Sequence, residues 1–578
     1  MELDLGVANS PAKRRKLFEA KWLVILLAVA VVAVLALIPL CFLIGQSFFT
    51  PESAGLPATF TWDNYKVAYT SSDSLPTLFN SVKFATGAAL MSFVLGTLLA
   101  WINERTNTPF RRMFYTLTIV PLIIPSILFT ISWILLASPK IGILNVELNN
   151  WFGISSPIFN IYSMGGMIWI DGLHYSTMAF LLMSAAFRGM DPSLEESAIM
   201  SGSGIIQTTF RITLRLALPA VVSTILILFV RAIESFEVPA LIGLPVKIQV
   251  FTSSIYEAIQ QYPSQVGLAS SYSVVLLLMT SVGIYIQGRI ATGGGKYSTM
   301  TGKGFRPRVI DLGRWRYLTA AIFFLYFLLI VAAPFLVLLW SSLQKFYAVP
   351  SMAALHHLTF DSYRYILSYP TLRGALINSV ELAFGCATAV MLLSAVICWI
   401  VVKTKVRGRW LLDNLASLPM VFPGLVLGLA FMIFFLNVNV GIYGTLWIML
   451  IAYITRFMPY GMRYTTTSMI QIGKELEESA AMSGAGWLTT FHRIVLPLLK
   501  PGLLAGWIYV FIVSIRELSA SILLYSPGTE TVSVVIWELW QNGQYVELSA
   551  LSVMFIVGLL ALVSLAQWAG SKFGVKTV

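Results

Sequence analysis

The sequence predicts an all-α polytopic membrane protein with about twelve transmembrane helices in two parallel six-helix repeats. Three observations carry that expectation. Of 578 residues, 57% are hydrophobic and only 11% charged, against roughly 25% charged residues in a soluble domain, and mean hydropathy is +0.80. The apolar residues fall in continuous runs long enough to cross ~30 Å of hydrocarbon as helices, without the alternation of a membrane barrel. The third observation is that the second half of the chain repeats the first.

The first span is Trp22–Gly45, 24 residues without a charge. The basic run Lys13–Lys16 before it resembles the start of a signal peptide. The apolar stretch is too long for one and has no clear cleavage site, so it reads as an uncleaved span. Further spans lie near 79–102, 113–137, 166–187, 217–241 and 269–288, then near 317–342, 375–402, 411–436, 443–464, 501–524 and 547–570. The expected organisation is a tail at 1–21, a first half at 22–288, a basic linker at 289–316, a second half at 317–570 and a tail at 571–578. The prolines at 121, 125, 419 and 423 are expected to kink the third and ninth spans.

The two halves are copies. Asp63–Tyr65 matches Asp361–Tyr363, Asn80 matches Asn378, Trp101 matches Trp399 and Pro121–Pro125 matches Pro419–Pro423, all at an offset of 298. Later matches run at 282, because the first half has a longer loop around 138–163. An even number of spans per copy gives both copies one orientation and places both termini on the same side.

Composition also excludes functions. Cys41, Cys386 and Cys398 lie in apolar runs, and the four histidines show no metal-ligand spacing, so neither a metal centre nor a cofactor is expected. No nucleophile or matched acid–base pair marks a catalytic site. The net charge of +12 is a topology signal rather than a nucleic-acid footprint. Most Lys and Arg fall on segments assigned to the cytoplasm, and the linker alone holds seven.

The densest information lies between the fourth and fifth spans of each half. Leu194–Pro219 and Leu476–Pro501 are identical at 15 of 26 positions. Each reads as a short helix, a glycine break and an amphipathic stretch entering the next span. Ser193 and Glu196 have capping-box spacing, small residues line one face, and Gly202 and Gly484 permit the turn.

This pattern resembles the EAA loop of binding-protein-dependent ABC importer permeases, which reads Glu-Ala-Ala, three residues, Gly, then Ile-x-Leu-Pro. Glu196-Ser-Ala198 with Gly202 and Glu478-Ser-Ala480 with Gly484 fit, and Ile494–Pro497 completes the second copy. The first copy has Arg215 in place of the proline, so its helix junction is expected to differ. With the duplicated layout, the chain resembles the fused permeases of ferric-iron uptake systems, with a type I importer core in each half at about 76–288 and 374–568.

The resemblance implies docking loops for two copies of a cytoplasmic ABC ATPase, formed by Glu195, Glu196, Ser197, Ala198 and Gly202, and by Glu477, Glu478, Ser479, Ala480 and Gly484. It also implies a periplasmic solute-binding protein, an inner-membrane location, and ATP and Mg²⁺ held by the ATPase, with no catalysis by this chain. Gly293–Lys296 lacks the spacing and the Ser/Thr of a phosphate loop. A secondary transporter of the 6 + 6 kind is the alternative, but Asn103–Pro109 lacks the charged Gly-rich motif expected there. Thiamine, phosphonate and polyamine remain alternative solutes.

Charges inside spans mark candidate pathway or gate residues. Arg231, Glu234 and Glu237 share a helical face in the fifth span, Arg516 and Glu517 occupy the eleventh, Arg456 is an isolated cation in the tenth and Asp171 lies beside His174 in the fourth. The 282 offset aligns Glu234 with Arg516. This suggests an outer gate in which the two face each other, with an Arg231–Glu234 pair within one helix as the competing arrangement.

Overall fold

The computed structural model describes residues 11–51, 57–71, 74–154, 156–191, 193–293, 309–404 and 406–572. Parts of both expected tails and of the linker, including all but the first residue of Gly293–Lys296, lie outside the described residues. Among the described residues, regular structure is helical, with two isolated bridges, Phe49–Phe60 and Thr106–Ile310.

Each predicted span corresponds to helix, but not each to one straight crossing. Among the described residues, seven helices are long and apolar enough to cross a membrane: Val24–Gln46, Ser74–Arg105, Val266–Ile290, Gly313–Ser342, Pro370–Lys403, Trp487–Ile515 and Tyr545–Trp568. Three stretches are broken. Arg111–Leu122 meets Ser126–Ala137 at 98°, Arg409–Val421 meets Gly424–Asn437 at 107°, and Ile205–Leu216 meets Leu218–Ile233 at 77°. The last two, Met164–Arg188 and Leu446–Gln471, are continuous helices with polar and charged residues among the apolar ones.

The third and ninth spans therefore correct the expected kink to a full break. Pro125 and Pro423 have ψ of 140° and 142°, far from the helical value near −42°. Each of these prolines is succeeded by a half-length helix. Ser126–Ala137 has 12 residues, about 18 Å of rise. All of Ile127–Ala137 and Gly424–Ile433 is buried, as expected for helices apolar all round. The fifth and eleventh spans are also shorter than expected. They stop at Ile233 and Ile515, with Glu234 and Arg516 as their C-caps. The irregular backbone beyond both is largely buried inside the protein, which is the setting that tolerates it at membrane depth.

The chain divides into two compact units that do not coincide with the two sequence halves. One contains Ile44–Arg373 and Ser533–Leu560; the other contains the described parts of Met1–Leu43, Gly374–Val532 and Ala561–Val578. Each repeat's first span is packed in the unit built mainly from the other repeat. Ile25, Ala28 and Val32 share a core with Leu412, Ala416, Met458 and Met462. Reciprocally, Phe323 stacks on Phe114 at 4.8 Å, and the Tyr326 hydroxyl lies 2.8 Å from the Ser176 hydroxyl.

In the first of these units, Ser74–Arg105 lies along Met164–Arg188. Gly96 allows the approach: a Cβ there would come within 2.5 Å of the Ala179 Cβ and the Ser176 carbonyl oxygen. Small residues are what let membrane helices pack this closely. Gly96→Leu is therefore expected to destabilise the protein by about 2–3 kcal/mol in denaturant unfolding in detergent. Gly45→Leu, with nothing within 4 Å of its Cβ, should have a much smaller effect.

Candidate functional site

The repeated loops fold alike. Ser193–Met200 and Lys474–Met482 are short helices. Each ends at a left-handed glycine, Gly202 with φ +87° and Gly484 with φ +81°, a conformation costing L-residues roughly 1–2 kcal/mol. The amides of Gly202 and Ser203 donate to the carbonyls of Ile199 and Ala198, and those of Gly484 and Ala485 to Ala481 and Ala480, at 2.9–3.0 Å. These are two Schellman motifs. A π-helical turn comes next in both copies, Thr209–Thr213 and Phe491–Val495. At the first helix's start the expected capping box gives way to Asp191, whose carboxylate accepts from the Ser193 amide at 2.9 Å.

The two glutamates of each loop face different ways. Glu195 points inward, with Oε2 3.2 Å from Arg105 Nε and Oε1 accepting from the Thr213 hydroxyl at 2.9 Å. Glu477 has its Oε1 2.9 Å from Lys403 Nζ. Arg105 and Lys403 are counterparts at the 298 offset, and the glutamates at 282. Neither cation stood out in the sequence, although the repeat register carries the signal. Glu196 is half-buried and Glu478 exposed, leaving them as the outward acids. Ser197 and Ser479 are exposed, Ala198 is half-buried and Ala480 buried. The outer surface carries an exposed methionine in each copy, Met200 at 86% and Met482 at 90%.

Beneath the loops the copies differ. Trp399 stacks on Trp487 at 3.8 Å and meets Phe491 at 4.3 Å. The counterparts of Trp487 and Phe491 in the first copy are Ile205 and Thr209. There an open hollow of about 730 Å³ is lined by Trp101, Ile205, Ile206, Phe210 and Arg211. The junctions differ as well. The first copy, with Arg215, bends by 77° after Leu216, whereas the second, with Pro497, runs as one helix from Trp487 to Ile515. Beside the first loop, the Gly313 amide and the Asn107 side chain hold the Asp311 carboxyl below the usual carboxylate range.

The pathway candidates cluster at the helix breaks. Arg231 Nη1 lies 3.4 Å from Glu234 Oε2, so Glu234 has a cation within its own segment; a bare carboxylate at a helix C-terminus is unfavourable. Asp171 is fully buried beside Ser235 and Glu237. Arg456 is not isolated, because it pairs with Glu517. A Cβ on Gly424 would fall on the Arg456 guanidinium, so the cation sits against a helix N-terminus that disfavours it, and Glu517 offsets that cost. Glu517 also accepts from the Ala520 amide at 3.0 Å, satisfying backbone in the break. The counterparts of Arg456 and Glu517 in the first repeat are His174 and Ser235, so this ion pair belongs to one repeat. Among the described residues no group of three His, Cys, Asp or Glu is placed to hold a metal.

Residues 92–293 and 391–572 match the family described as binding-protein-dependent transport system inner membrane component. The chain is 26% identical over 495 residues to the ferric transport system permease protein FbpB of Actinobacillus pleuropneumoniae, covering 85% of this chain and 70% of that one. It is also 26% identical over 209 residues to the spermidine/putrescine transport system permease protein PotC of Haemophilus influenzae, covering 36% of this chain and 80% of that one. Among solved structures, a bacterial ABC transporter involved in the import of the acidic polysaccharide alginate aligns with 48% of this chain and 99% of that chain, at 20% identity and a TM-score of 0.37.

The unequal support beneath the loops has a measurable consequence. Trp399→Ala removes a buried ring from a three-ring stack and should cost about 3–5 kcal/mol. Trp101→Ala, beside the hollow, should cost clearly less in the same unfolding measurement.

Proposed function

The chain belongs to the binding-protein-dependent transport system inner membrane components, and on that premise we propose that it carries ferric iron into the cytoplasm of a bacterium. In this reading a periplasmic binding protein delivers the cargo, and two copies of a cytoplasmic ABC ATPase bind ATP and Mg²⁺ and drive transport. The chain itself catalyses nothing. It lies in the inner membrane with both termini inside, a placement supported by the basic run at Lys13–Lys16 and the seven cations of the linker. Family membership sets aside the secondary-transporter alternative.

The observation that carries the coupling role is the duplicated exposed helix, ended by the same Schellman glycine and tipped by the same methionine. A water-exposed apolar side chain on a rigid helix gains by docking into a complementary groove, and two equivalent copies suit two ATPase subunits. ATP-driven approach of those subunits would displace both helices and bias the transporter between inward- and outward-open states. Moving such an equilibrium from 1:99 to 99:1 takes about 5.5 kcal/mol of differential stabilisation, so the loops have to transmit force rather than only tether.

Iron is favoured over other solutes because the ferric relative aligns across both repeats. The polyamine relative and a 2-aminoethylphosphonate relative each align with about a third of the chain. The deciding experiment reconstitutes the chain with its ATPase and binding protein in proteoliposomes. Accumulation of ferric iron is expected; accumulation of putrescine or 2-aminoethylphosphonate without iron would reassign the substrate.

For the coupling role, Met200→Asp combined with Met482→Asp should abolish ATPase co-purification and ATP-driven uptake while leaving folded protein in the membrane. Gly202→Val and Gly484→Val should each strain the turn by roughly 1–2 kcal/mol and sharply reduce uptake. Normal ATP-driven uptake in both glycine variants would refute the role.

A further inference from the structure

We infer that the buried ion pair Arg105–Glu195 and the partly buried pair Lys403–Glu477 are force-bearing struts, positioning residues that make each docking helix move as one body with the membrane helices behind it. The inference rests on the ATPase-coupling reading above and adds the route by which displacement of a loop reaches the spans.

The geometry is repeated with different parts. Arg105 is the last residue of Ser74–Arg105, and Lys403 closes the π-helical turn that extends Pro370–Cys398. Their carboxylate partners belong to the docking helices. The Arg105 and Glu195 side chains are 2% and 9% exposed, and those of Lys403 and Glu477 are 4% and 21% exposed. Separation is costly in both pairs, because it would leave Arg105 with Glu195, or Lys403, uncompensated in a poorly solvated site. The docking helix therefore cannot shift without drawing the end of the second span with it.

A further contact in each copy ties in the end of the fourth span. In the first repeat Arg188 ends Met164–Arg188 and pairs with Glu104 at 2.8 Å. In the second, Lys403 donates to the carbonyl of Ile472, directly after Leu446–Gln471, at 2.6 Å. The counterparts of Glu104 and Arg188 in the second repeat are Val402 and Ile470, so that copy reaches the same junction by another bond. Two registers of the repeat, 298 and 282, thus converge on one contact twice. An ordinary surface salt bridge contributes little and has no reason to recur in this way. Glu195 and Glu477 are turned away from the face that would meet an ATPase, so docking alone does not explain them.

The test uses the full chain with its ATPase and binding protein in proteoliposomes, measuring ferric iron moved per ATP hydrolysed and ATPase retained on purification. Arg105→Gln with Lys403→Gln should retain the ATPase but lower iron moved per ATP about tenfold, the scale of a typical coupling energy. Arg105→Lys and Lys403→Arg should each keep coupling, since each repeat already works with the other's cation. If the double Gln variant fails to fold into the membrane, Arg105→Glu with Glu195→Arg decides: restored coupling relative to Arg105→Glu alone supports the strut, and none overturns it. Unchanged iron per ATP in an assembled double Gln variant overturns the proposal. Loss of ATPase retention in proportion to uptake also overturns it, making these docking residues. Failure of the unmodified chain to retain any ATPase would instead defeat the coupling reading itself.

Discussion

Within a bilayer, every backbone amide and carbonyl must find its partner inside the protein, and the architecture depends on how this chain meets that demand where its helices stop. The half-length helices after Pro125 and Pro423 are buried over Ile127–Ala137 and Gly424–Ile433, so the ends at which they start face protein. The breaks after Ile233 and Ile515 are likewise largely enclosed. At the second break the Glu517 carboxylate takes both the Ala520 amide and the Arg456 guanidinium. Charge at these places serves the backbone first, and any pathway role is built on groups already engaged in holding a broken helix.

Duplication then shows which features are tied to the shared architecture and which are free to drift. The Schellman glycines, the π-helical turns and the exposed methionines keep both position and conformation. The cation behind each short loop helix keeps its position but changes from Arg105 to Lys403. The aromatic support keeps its tryptophan but not that residue's partners, being a stack around Trp399 in one copy and a hollow beside Trp101 in the other. Arg456–Glu517 and its counterparts His174 and Ser235 diverge further, exchanging an arginine–glutamate pair for a histidine and a serine around a buried Asp171. The two copies thus share the build of the repeated loops and differ where they line their own interiors.

Much of this was legible in the sequence, for physical reasons that can be named. Helical class came from long apolar runs, duplication from matched residues, and the paired short helices from a glycine placed where a helix has to end. The half-length helices were not legible because the apolar run continues through both proline pairs, and hydropathy does not record a change of direction. The breaks at Glu234 and Arg516 were read as charges within spans because the apolar residues resume beyond them. The inward and outward glutamates of each loop are adjacent in sequence, and only the buried cation tells them apart. The repeat did align Arg105 with Lys403, but their partners lie about 90 and 74 residues onward, beyond any local periodicity.

The exchanged first spans bear on how the protein is made. Val24–Gln46 and Gly313–Ser342 are the two most apolar of the seven long helices. Val32 reaches its final neighbours only after Leu412 and Met458 exist. At about 5–20 residues per second, Val24–Gln46 waits on the order of tens of seconds for its permanent packing. Lipid is its only solvent during that interval, so a polar side chain serving the finished protein would be a liability while the ribosome is still working. The plainness of that helix is thus suited to the order of synthesis: a segment made long before its neighbours is one that can best afford to stand alone.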